Sequence, residues 1–179
     1  MNGGQLFLKL VVSLILLLML LVVGQPFFSK MMQNFERTAV RQVVTQLNSA
    51  ASFKVAEYIA LDKLPELSEQ LTNNPLMWLE LDDLGGYDRY QGEIEVLNFQ
   101  ELNTKQWIYD RSTNRLIYKV EYPELLINED PIAQRIQFHL QLEYSDLNED
   151  GRFDADNDKI TGLVIAPVYP YQWRQGTDN

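Results

Sequence analysis

From Leu6 to Phe28 the chain is almost wholly apolar, and Leu10–Val23 is interrupted only by Ser13. No water-exposed fold leaves such a run uncovered, so the rest of the molecule must be arranged around it. A helix rises ~1.5 Å per residue, which makes Leu6–Phe28 about long enough for a hydrocarbon core of ~30 Å. A cleaved secretory signal fits poorly. Its charged region would hold only Lys9, its apolar region would exceed the usual ~7–15 residues, and Gly24-Gln25-Pro26-Phe27-Phe28 offers no small-x-small cleavage site. The sequence therefore predicts a retained transmembrane segment over residues 1–28.

The helical pattern continues beyond it. Phe35, Ala39, Val40, Val43, Val44, Leu47, Ala50, Ala51, Val55 and Tyr58 recur at spacings of three and four, which is one apolar stripe on a helix. Arg37, Arg41, Gln42, Gln46, Lys54 and Glu57 take most of the other positions, and no strong breaker stands between Pro26 and Pro65. One helix of over fifty residues follows, with an amphipathic continuation over residues 29–63. Pro26 is expected to kink it, because the ring and the missing N–H disturb the preceding turn.

Residues 64–179 differ in charge and texture. They carry 9 Lys+Arg against 22 Asp+Glu, a net of −13, and leave the first 63 residues net +3. An acidic domain of this kind argues against a nucleic-acid partner. The chain has no cysteine, which excludes a disulfide framework, a thiol nucleophile and a thiolate metal site. Gln106–Asp110 and Arg115–Tyr122 flank a four-residue turn and read as a β-hairpin. Arg135–Tyr144 alternates strictly, with Ile136, Phe138, Leu140, Leu142 and Tyr144 on one face. Glu93–Asn98 alternates briefly, and Lys159–Val168 reads as a last strand. The expected fold class is α+β: a long N-terminal transmembrane and amphipathic helix packed on a four- to five-stranded antiparallel sheet.

One run is chemically specific. Asp146, Asn148 and Asp150, followed by Gly151, match the start of a calcium loop, in which alternating oxygen side chains converge on one hard cation and glycine permits the sharp turn. Arg152 would contribute its carbonyl, Asp154 falls at the ninth position and Asn157 at the twelfth, with Asp158 one residue late. Without a bidentate glutamate, the expected calcium affinity is weak, ~10⁻⁴–10⁻³ M. A melting temperature indifferent to chelator and millimolar calcium would remove the site. The competing reading is a solvated acidic turn. His139, on the polar face of a strand, reads as a surface residue. The pairs Asp82-Asp83 and Glu129-Asp130 read as loop charge, and Trp78, Trp107 and Trp173 as core or rim aromatics. No nucleophile motif or phosphate-binding glycine loop is present, so the sequence offers no enzyme.

A long apolar helix running into a sheet domain resembles the type IV pilin-like proteins. Their precursors are cut after a glycine just before the apolar helix, whose twenty-second residue is proline. Counted from Gly4, Pro26 holds that place. Gln5 stands where Phe or Met is usual, and Lys9 where pilins carry Glu. Within this group the chain is similar to the MshF-type accessory proteins of MSHA (mannose-sensitive haemagglutinin) pilus biogenesis. The matching pieces are Asn74-Pro75, Tyr90, Gly92, Trp107-Ile108-Tyr109-Asp110 and Leu116-Ile117-Tyr118-Lys119-Val120.

The resemblance implies a single-pass protein of the bacterial inner membrane with a periplasmic domain. Lys30, Arg37 and Arg41 after the span point the other way on charge bias alone. It also implies pilins or other pilus-assembly proteins as partners, along with the inner membrane. The function implied is a non-enzymatic accessory or minor pilus subunit. A bitopic scaffold that never enters the fibre and a calcium-dependent adhesive module are the alternatives, and the mature mass and presence in sheared pili separate the first two. Lys9 and Pro26 are the implied assembly residues. Lys9 either pairs with a neighbouring pilin's glutamate or snorkels to headgroups.

Overall fold

The computed structural model describes residues 3–79, 89–95, 98–154 and 157–174. Within its long helix, the side chains of residues 3, 6, 23, 25–30, 32 and 33 also lie outside the described part. Helix α1 runs from Gly3 to Ala60, 58 residues. Its second half presents Val40, Val43, Leu47 and Ala51 to the core at 0–3% exposure, and these residues sit three to four apart. Val44, Val55 and Tyr58 pack partly against the same cluster. Phe35 is exposed.

After α1 the chain makes 3-10 turns over Leu64–Thr72 and Pro75–Trp78. Strands β1 (Tyr90–Ile94), β2 (Gln106–Asp110), β3 (Arg115–Lys119), β5 (Arg135–Ser145) and β6 (Lys159–Pro167) form one sheet in the order β1-β2-β3-β5-β6. Strands β4 (Leu126–Asn128) and β7 (Tyr171–Trp173) pair antiparallel in a second, two-stranded sheet. The core lies between α1 and the large sheet and includes Trp107, Tyr109, Leu116, Tyr118, Phe138 and Leu140. Asn48 of α1 ties the layers together: its Oδ1 accepts from Ile165 N of edge strand β6 at 2.9 Å.

The chain is α+β, but its sheet is mixed and not antiparallel. β1 runs parallel to β2, with Tyr90 beside Trp107 and Ile94 beside Asp110. Parallel neighbours cannot be joined by a tight turn and need a longer crossover. The connection between Ile94 and Gln106 supplies one, and its described part includes a 3-10 turn at Phe99–Glu101. The register slips between Tyr90 and Glu93, and Gly92 there holds φ 103°, a conformation that side-chain-bearing residues rarely adopt.

The expected transmembrane segment, and with it the single-pass inner-membrane placement with a periplasmic domain, is also corrected. Among the described residues, no helix is long and apolar enough to cross a membrane. The Pro26 side chain, and any kink it imposes, lies outside the described residues.

Candidate functional site

Every described side chain from Phe7 to Val22 is exposed, with the large apolar ones ranging from 36% at Val11 to 72% at Leu20. Among the described residues, the packed face of α1 lies in its second half, at Val40, Val43, Leu47 and Ala51. Apart from Lys9 and Ser13, the Phe7–Val22 stretch is apolar all round, the composition of a helix that is buried against other apolar surface. Lys9 is exposed within it and has no ion-pair partner among the described residues.

Where α1 reaches the domain, a carboxylate is buried. Glu36 is 3% exposed, and its Oε1 accepts from Glu121 N at 2.8 Å and Tyr118 Oη at 3.2 Å. Among the described residues its Oε2 has no hydrogen-bond partner. Burial raises the Glu36 carboxyl above its ordinary value, opposed by these hydrogen bonds, and burial with the Glu36 charge raises the Tyr118 phenol. Glu121 is ion-paired with Lys105. The helix is thus pinned to the end of β3 by a charge that the fold only partly satisfies.

A carboxyl whose folded pKa is raised stabilises the fold most below its unfolded pKa and loses that contribution as pH rises through the folded value. The difference in stability between the native chain and Glu36→Gln should therefore shift in favour of the glutamine variant as pH climbs above 4.5. Glu36→Ala, in contrast, orphans the Glu121 N–H and should cost about 1–3 kcal/mol. Urea midpoints measured from pH 4 to pH 8 check both; a pH-independent difference would show that Glu36 carries no strained charge.

The loop between β5 and β6 holds the candidate calcium residues. Asp146 accepts from Asp150 N at 3.3 Å and Gly151 N at 2.8 Å, Asn148 Oδ1 accepts from Asp150 N at 3.3 Å, and Asp150 Oδ1 accepts from Arg152 N at 2.8 Å. Asp158 accepts from Leu147 N at 3.1 Å and Asp154 N at 2.8 Å, while Asn157 Nδ2 donates to Asp154 Oδ2 at 2.7 Å. The loop curls on its own backbone donors, with Gly151 at φ 75°. Among the described residues, no group of three or more His, Asp or Glu is placed to hold a metal. Asp156 lies outside the described residues.

Other sequence candidates fall elsewhere. His139 is half-buried on β5, and burial together with nearby Arg115 lowers its pKa. Asp82 and Asp83 lie outside the described residues. Asp130 is not loop charge: it is 6% exposed and takes both Arg135 Nε contacts, at 3.0 and 2.9 Å, and a bond from Gln137. Asn74, quoted for its place beside Pro75, is buried and donates to Tyr90 Oη at 2.6 Å and Glu93 Oε1 at 2.9 Å, so it joins the second 3-10 turn to β1. The only sequence signal for Glu36 is its position beside the apolar stripe, one residue after Phe35.

These features define a class: an α+β domain on half of a long helix whose other half is apolar and uncovered. Comparison with family models, curated proteins and solved structures finds no match for the chain.

Proposed function

We propose that this chain is a non-enzymatic, pilin-like accessory subunit in the biogenesis of a type IV pilus of the MSHA kind, with pilins or other pilus-assembly proteins as its partners. The observation that carries the reading is the division of α1. Its second half is packed on the sheet, while Phe7–Val22 is exposed throughout. Monomers rarely expose apolar patches beyond a few hundred Å². Helices of neighbouring subunits would cover such a surface. The MshF-type resemblance of residues 74–120 points the same way.

The test is to shear pili from the host, probe them for the chain and measure its intact mass. The expected result is recovery in the pilus fraction and co-purification with pilins. A mass matching a chain from Gln5 would add processing at Gly4. Absence from both fractions would refute the reading.

A further inference from the structure

Arg37, Arg41 and Thr45 lie on successive turns of α1 and, with Tyr171 and Trp173 of β7, line a pocket of about 320 Å³. Among the described residues neither arginine has an ion-pair partner, although the chain carries 25 acidic residues against 15 basic ones. Like charges four apart on a helix repel, so a carboxylate seated between them would relieve a cost that the fold leaves standing. The aromatic wall adds an apolar surface next to the guanidiniums. The pocket therefore suits a segment that carries acidic and apolar side chains together.

The domain offers such a segment at its other end. The β5–β6 loop lies beside the end of α1, where Phe153 and Asp158 share a cleft with Leu64 and Pro65. About 35 Å of helix separates Arg37 from Ala60, so the loop cannot reach its own pocket. At its tip Leu147 is 70% exposed, and Glu149 and Asp150 beside it are exposed as well.

We propose that the Leu147–Asp150 tip of one copy docks into the Arg37/Arg41 pocket of a second copy, with Leu147 against Tyr171 and Trp173 and the Glu149 and Asp150 carboxylates on the guanidiniums. Two different surfaces meet, so each pair leaves one pocket and one loop free. Such a head-to-tail contact builds a ring or an open filament and does not close as a two-fold dimer does. The proposal rests on the assembly reading above and specifies which faces of the domain meet.

Since the native chain has no cysteine, the contact can be trapped cleanly. Full-length Thr45→Cys and full-length Asn148→Cys chains are mixed in mild detergent and oxidised with copper phenanthroline. The expected result is a disulfide-linked dimer in the mixture and little in either chain alone. Arg37→Glu with Arg41→Glu in the first chain should cut it about tenfold, and Glu149→Arg with Asp150→Arg in the second should restore it. A dimer that ignores the charge reversal overturns the proposal. No dimer from chains that are still recovered in pili also overturns it and leaves the assembly reading intact. A charge-sensitive dimer from a chain absent from pili supports the contact and refutes the assembly reading.

Discussion

Asp130→Ala is expected to destabilise the domain by about 3–5 kcal/mol, because it removes the acceptor from a buried charge network. The Asp130 side chain is 1% exposed and that of Arg135 15%. Asp130 Oδ1 also accepts from Ile132 N at 2.8 Å, and its Oδ2 takes the amide of Gln137, itself 3% exposed. Gln137 in turn accepts from Arg115 Nη1 at 3.1 Å. One carboxylate thus fixes the β4–β5 turn and reaches β3 through Gln137. Removing it leaves a guanidinium and an amide desolvated without an acceptor, which costs more than the pair's net worth when intact. Domains are commonly stable by only about 5–15 kcal/mol, so the variant should melt far below the native chain. Asp130→Asn keeps an acceptor oxygen and should lose less. Denaturant midpoints of the full chain in mild detergent decide the matter. A loss under about 1 kcal/mol for the alanine variant would mean that water replaces the carboxylate without penalty.

Trp107→Ala should cost about as much, 3–5 kcal/mol, by a different route. The indole is 1% exposed at the centre of β2, with ring centroids 4.9 Å from Tyr118 and 5.8 Å from Phe138. Truncation loses the transfer free energy of a large ring and leaves a cavity in a wall of other rings that cannot collapse inward without breaking β3 or β5. Trp107→Phe retains a ring against Tyr118 and should recover much of the loss. Equal stability of the alanine and phenylalanine variants would show that ring contact, as opposed to burial of any apolar group, contributes nothing here.

The Asp130 and Glu36 carboxylates show where reading a sequence fails. An acidic residue with no partner visible nearby in sequence reads as solvated, since burying a charge is costly unless partners are supplied. The partners of Glu36 come from Tyr118 and Glu121, 82 and 85 positions away, and those of Asp130 from the next strand. Nothing local announces either. The pairing of β4 with β7 is equally silent, because three-residue strands are too short to show a period and their partners lie over forty residues apart. The Arg37/Arg41 pocket depends on that pairing and was hidden with it.

The sequence by itself determined the parts whose information is local and periodic. The three-and-four spacing of Val40, Val43, Leu47 and Ala51 specifies the buried face of α1, the alternation from Ile136 to Leu142 specifies β5, and Arg111–Asn114 specifies the β2–β3 hairpin. The uncovered apolar surface from Phe7 to Val22 is legible in the same way, since composition alone makes it. Only the tertiary structure decided the parallel β1–β2 pairing and the burial of Glu36 and Asp130. Strand direction follows from the path of a connection and charge burial from donors brought in over long sequence distances, and neither leaves a repeating mark on the chain.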